Sequence, residues 1–110
     1  MENCGVYFFR EKKGGLIKIG RSVNWKARLQ VLDSSSPYEV SELHTIKTRN
    51  YLATERVFQR MFNQYNVRKE WFDLPEYCIQ WIRSGNYDRQ IMSIINDVDF
   101  KLHERQGFRI

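Results

Sequence analysis

Histidine and cysteine are scarce in this sequence, with two residues of each among 110. Cys4 and Cys78 form no Cys-x-x-Cys pair, so a structural zinc site is not expected. They make no disulfide framework either, and the expectation is two reduced thiols in a reducing compartment. No apolar run approaches the roughly 20 residues needed to span a bilayer. The opening MENCGVYFF lacks the long apolar stretch of a signal peptide. A cytoplasmic protein is expected, or a nuclear one in a eukaryotic host, with no membrane partner. Internal repeats and low-complexity tracts are absent from the sequence.

What is present is aromatic and basic. Three Trp, six Tyr and seven Phe supply a dense core, with rings to spare for a binding surface. Lys and Arg total 18 against 13 Asp and Glu, a net charge of +5. Such an excess favours a polyanionic partner through long-range attraction, although many basic proteins have none. The length is that of one domain able to fold without a staple.

Residues 5–10 read as an aromatic, β-branched strand, and 16–20 as its hairpin partner across a charged, glycine-ended turn. Asn24 can cap a helix over 25–32, in which Trp25, Leu29 and Leu32 share one face. Residues 33–37 form a loop, and 40–48 a third strand. Asn50 or Thr54 can open a second helix running to about Tyr65, with Val57, Phe58, Met61, Phe62 and Tyr65 as its apolar stripe. Glu70-Trp71-Phe72 can add a short strand. Pro75 suits the first turn of a helix that ends at Gly85. Residues 87–105 carry Ile91, Ile94, Ile95, Val98 and Leu102 at helical spacing, for packing or for a homodimer contact. The expected fold is α/β in the broad sense (α+β). It has a small three-stranded antiparallel sheet flanked by helices, and a helical C-terminal extension.

Several side chains can carry chemistry. If Phe9 faces Leu16 across the hairpin, Tyr7 faces Lys18 on the same side of the sheet. An ammonium beside a phenol favours the phenolate, which otherwise forms only near pH ~10. The opposing view makes Tyr7 a half-buried strand aromatic and Lys18 a solvated charge. Arg28 lies about 60° round from the Trp25 face, at ~100° per residue, where a guanidinium can reach a phosphate while its stem packs. Glu55 lies on or beside the buried stripe of its helix, a place where carboxylates rarely stand without a partner. A divalent cation is one such partner and an arginine the other. Magnesium needs only one or two carboxylates, because water and phosphate complete its shell.

Gly5-Val6-Tyr7, a ten-residue spacer and Lys18-Ile19-Gly20 resemble the two tripeptides of the GIY-YIG nuclease superfamily. Arg28, eight residues after the second glycine, and Glu55 on a later helix match its arginine and glutamate. The Lys-Ile-Gly-Arg-Ser form with a terminal Glu70-Trp71-Phe72 is similar to the branch common in phages and large DNA viruses. The likeness covers about residues 5–74. It differs at Lys18, where the superfamily has its second tyrosine, and at Gln59, where that branch often has histidine. His44 is a substitute proton carrier or an ordinary strand histidine. By order, Glu70 stands nearest to the superfamily's terminal asparagine.

The resemblance implies a nuclease domain over residues 1–85, with residues 86–110 as a helical extension packed on it. It implies cleavage of DNA, with RNA left open, using Mg2+ or Mn2+. Tyr7 would be the general base or would orient the attacking water, with Lys18 assisting. Arg28 would bind the scissile phosphate, and Glu55 would hold the single metal. Arg21, Lys26 and Lys47 would contact neighbouring phosphates. Trp25 and Tyr38 are read first as packing residues, with base stacking as the alternative. The rival function is a non-catalytic nucleic-acid-binding or protein-interaction module on a nuclease-like fold, to which the changes at Lys18 and Gln59 would be harmless.

Overall fold

Six of the seven residues of strand β1 (Gly5–Glu11) are buried, Arg10 being the exception, so this strand is covered on both faces. The computed structural model, which describes residues 3–35 and 39–97, places it inside a sheet with neighbours on both sides. Its partners are β2 (Ile17–Ser22) and β3 (Val40–Lys47), both antiparallel to it. Two more short strands, β4 (Asn66–Arg68) and β5 (Trp71–Phe72), extend the sheet beyond β2. The order is β3-β1-β2-β5-β4, so the sheet has five antiparallel strands where the sequence predicts three. The reason is length. Strands of three and two residues, with β4 exposed throughout, are too short to write an alternating pattern into the sequence.

Period-two alternation divides the core between the two faces. Val6, Phe8, Ile17, Ile19 and Ile46 point to one side. There they meet Phe58 and Phe62, and beyond them Cys78, Ile79, Ile82, Ile91 and Ile95. Tyr7, Phe9 and Val40 point to the other side, against Trp25, Leu29 and Leu32. Helix α1 (Trp25–Ser35) therefore covers one face with the three residues that share its predicted stripe. Its start is capped as expected, since Asn24 Oδ1 accepts from the Ala27 amide at 3.2 Å.

The other face is covered by α2 (Tyr51–Met61), α3 (Glu76–Ser84) and α4 (Arg89–Ile95). Phe58 and Phe62 are buried as the stripe predicts, whereas Met61 is exposed. Helix α2 ends at Met61, and a single 3₁₀ turn, Asn63–Tyr65, finishes the stretch expected as helix. Helix α3 starts after Pro75 and stops at Gly85, as read. Asp88 caps α4 by accepting from the Ile91 amide at 2.9 Å. The carbonyls at its other end are taken by side chains: Asn50 Nδ2 donates to Ile94 at 2.8 Å and Thr48 Oγ1 to Ile95 at 2.6 Å. Asn50 thus anchors α4 instead of capping α2 with its side chain. The helix expected over 87–105 spans Arg89–Ile95, and Ile91 and Ile95 pack into the core. Val98 and Leu102, also part of the predicted dimer face, lie outside the described residues, as does Tyr38.

Cys4 and Cys78 are both buried free thiols. Among the described residues no helix is long and apolar enough to cross a membrane.

The hairpin register differs from the one expected. Phe9 pairs with Lys18 and Tyr7 with Gly20, because the Glu11 amide bonds the Leu16 carbonyl at 3.0 Å and closes the turn over residues 12–15. The displacement is two residues, which preserves side-chain parity. Tyr7 and Lys18 still share a face, but diagonally and not directly opposite.

Candidate active site

The site is built around a glycine. Tyr7 is 1% exposed and its ring stacks on Phe9 at 4.0 Å and 15°. Its phenol lies over Gly20, where a Cβ would fall inside the hydroxyl and ring atoms. A Cβ at Gly5 would likewise collide with the Ile46 carbonyl. Both motif glycines are therefore demanded by close approach of neighbouring atoms. Gly20→Ala is expected to cost about 1–3 kcal/mol, because the stacked ring has no room to retreat. Urea unfolding of this variant beside the wild type measures the loss.

Helix α1 brings Arg28 to the phenol. Its guanidinium acts on the Tyr7 phenol while the residue stays exposed. Burial pushes the Tyr7 phenol above its ordinary value of 10.0. Arg28 works against that rise, and Glu70 and Glu55 add to it. The sequence-based expectation was the reverse, a phenol lowered by Lys18. Lys18 is instead engaged elsewhere: its Nζ is 3.1 Å from Glu70 and stands 5.4 Å over the Trp71 ring. Strand β5 and the turn just before it provide the two partners, and the pairing of β5 with β2 puts Trp71 opposite Lys18. Tyr7 is therefore a neutral phenol at neutral pH, chiefly because it is buried.

Glu55 comes from α2, on the other face, with 3% exposure. Of the two partners foreseen for it, the structure shows the arginine: Arg21 Nη1 donates to Oε1 at 2.6 Å. Burial raises the Glu55 carboxyl above its ordinary range, and Arg21 opposes this. The second oxygen, Oε2, is buried with no hydrogen-bond partner. Strand parity explains the pair. Gly20 shares Tyr7's face, so Arg21, opposite Val6, must point toward α2. Arg21, expected as a phosphate contact, is thus a partner of Glu55 while remaining 44% exposed.

Tyr7, Arg28 and Lys18 lie toward one face, with Glu70 paired to Lys18, whereas Glu55 lies on the other face and acts on the phenol through its charge. His44 does not join them. It pairs with Phe8, so it lies on the opposite face from Tyr7, its ring 6.3 Å from that of Phe8. Burial holds its imidazole below the ordinary value, and Arg83 adds to this against Glu42. Gln59 also has a structural role, since Nε2 donates to the Ile19 carbonyl at 2.9 Å and ties α2 to β2. Lys26 and Lys47 lie away from Glu55, beside a hollow that also touches Trp25. The Glu-Trp-Phe motif points to Glu70 and Trp71 without indicating that they engage Lys18. Their signal was the pairing of β5 with β2, which short strands conceal.

Among the described residues no group of three or more His, Cys, Asp or Glu gathers as a metal cluster. A cation resting on one carboxylate remains compatible with the orphaned Glu55 Oε2, since magnesium keeps several waters and takes phosphate oxygens.

The T5orf172 domain matches residues 5–86, a segment that contains every residue of this site. No curated protein and no solved structure matches the chain. With a match over well more than half its length, the chain belongs to the T5orf172 domain family.

Proposed function

We propose that this domain is a metal-dependent endonuclease of GIY-YIG type that hydrolyses phosphodiester bonds in DNA. Membership of the T5orf172 domain family supports a nuclease-like or DNA-binding role at the coarser level. The observation that carries the finer reading is a buried phenol under the influence of Arg28 and Glu55, with one Glu55 oxygen buried and unpartnered. A magnesium or manganese ion held by Glu55 would supply positive charge to a phosphate oxygen and acidify bound water. Arg28, exposed and always charged, binds the scissile phosphate and offsets the charge that builds on it. Tyr7 positions the water or phosphate through its hydroxyl proton. Proton removal by Tyr7 is opposed by its burial and by Glu70, so orientation is the role that its surroundings favour over that of resting phenolate.

The test is nicking of supercoiled plasmid with Mn2+, with Mg2+ and with EDTA. Wild type is expected to nick only with metal, and Tyr7→Phe and Arg28→Ala to be slower by roughly 100-fold. Equal nicking by wild type and both variants would overturn the assignment.

One observation favours a second reading, a module that binds nucleic acid without cutting it. Arg21 already occupies one oxygen of the only carboxylate assigned to the metal. Salt-sensitive DNA binding with no nicking under any divalent metal would decide for that reading.

A further inference from the structure

We infer that the hollow between the start of α1 and the end of β3 is a second nucleic-acid subsite, which takes one unpaired nucleotide of a strand running past the phenol. The inference rests on the nucleic-acid reading above, but not on cutting. The hollow has a volume of about 340 Å³ and is lined by Asn3, Trp25, Lys26, Thr45 and Lys47. That is near the small end of the roughly 300–1,000 Å³ of small-ligand clefts, a scale suited to one nucleotide and not to a duplex.

Its place in the sheet ties it to the site. Thr45 pairs with Tyr7, and Tyr7 with Gly20, so the hollow begins one strand away from the phenol on the same face. Lys47 sits one step along that face, opposite Gly5. The lining contains two ammonium groups and no carboxylate. The nearby acid, Glu42, is tied by the Thr45 hydroxyl at 2.7 Å.

Each group suits one part of a nucleotide. Lys26 and Lys47 are exposed and offer charge to phosphate. Trp25 is half-buried, with its ring 6.5 Å from Phe9 and the Lys26 ammonium 5.8 Å away. A ring anchored in this way is a stacking platform for a base. Its attachment is firm, because the Trp25 amide donates to the Asn3 carbonyl at 2.9 Å. Asn3 and Thr45 add polar groups for sugar or base edges. A base already stacked in a duplex cannot enter, so the subsite selects single-stranded or frayed DNA.

Binding in EDTA tests this without any cleavage. A labelled oligothymidylate is titrated by fluorescence anisotropy at 50–200 mM salt, with wild type and the Lys26→Ala/Lys47→Ala double variant. The double variant is expected to bind at least ~10-fold more weakly. Its log–log salt dependence should flatten by about 1.4, since each single-strand phosphate contact contributes about 0.7. Trp25→Phe should remove most of the binding-induced quenching of indole emission, and a duplex of equal length should bind more weakly than the single strand. An unchanged affinity and salt slope in the double variant would overturn the subsite, as would a wild type that binds no oligonucleotide. A wild type that binds through these lysines yet never nicks plasmid would retire the endonuclease reading and leave the subsite standing.

Discussion

Glu55→Gln is expected to abolish metal-dependent nicking while leaving the protein as stable as before. The two effects separate because this carboxylate is poorly suited to its surroundings. It is 3% exposed, one of its oxygens has no partner, and burial opposes its charge. Removing one charge of a pair is costly when the charge left behind is buried, but Arg21 is 44% exposed and water takes over its charge. The amide oxygen of glutamine can still accept from Arg21, so that contact persists. Losing the cation would remove about 4 kcal/mol of charge stabilisation from the transition state, close to a thousandfold in rate. Single-turnover nicking with Mn2+, read beside urea unfolding in EDTA, tests both halves. A variant that nicks at the wild-type rate removes Glu55 from the metal role. A variant that loses several kcal/mol shows the carboxylate to be structural.

Much of this site could be read from the sequence because three of its members stand in strong local patterns. Tyr7 lies in a run of apolar strand residues, Arg28 borders the Trp25, Leu29 and Leu32 stripe, and Glu55 interrupts a stripe with a charge. Burial and period place such residues with little help from the rest of the chain. What stayed hidden depends on register. The position of Lys18 turned on where the hairpin closes, and a turn of glycines and charges allows more than one closure. The face of His44 turned on the pairing of β1 with β3, which are joined through a whole helix and share no turn. With Tyr7 set opposite Gly20, alternation alone sends Arg21 toward α2 and Glu55. The outer strands were hidden for a different reason: β4 and β5 hold by backbone pairing, and their few side chains carry no periodic signal.

Arg21→Ala should be the most destabilising change at the site, and its cost should depend on pH. The sign follows from Glu55. Its carboxyl lies above its ordinary value of 4.5 in the folded protein, with burial as the main cause. A carboxyl raised on folding holds its proton more tightly in the native state than in the unfolded chain. Its contribution is most favourable below the unfolded value and is lost as pH rises through the folded one. Arg21 is the chief influence opposing that rise, through its hydrogen bond and its charge. Without it the folded carboxyl moves higher still, and the penalty widens upward from about pH 4.5. Removing one partner of a fully buried pair costs about 3–5 kcal/mol. Arg21 is 44% exposed against 4% for Glu55, so water screens part of this and about 2–3 kcal/mol is expected at pH 8. The loss should be smaller near pH 5, because uptake of a proton by Glu55 removes it as pH falls. Urea unfolding at the two pH values in EDTA measures the difference, and equal losses at both would show that the charge of Glu55 is not its source. The double variant Arg21→Ala/Glu55→Gln should recover most of the pH 8 loss, because the side chain left behind is neutral.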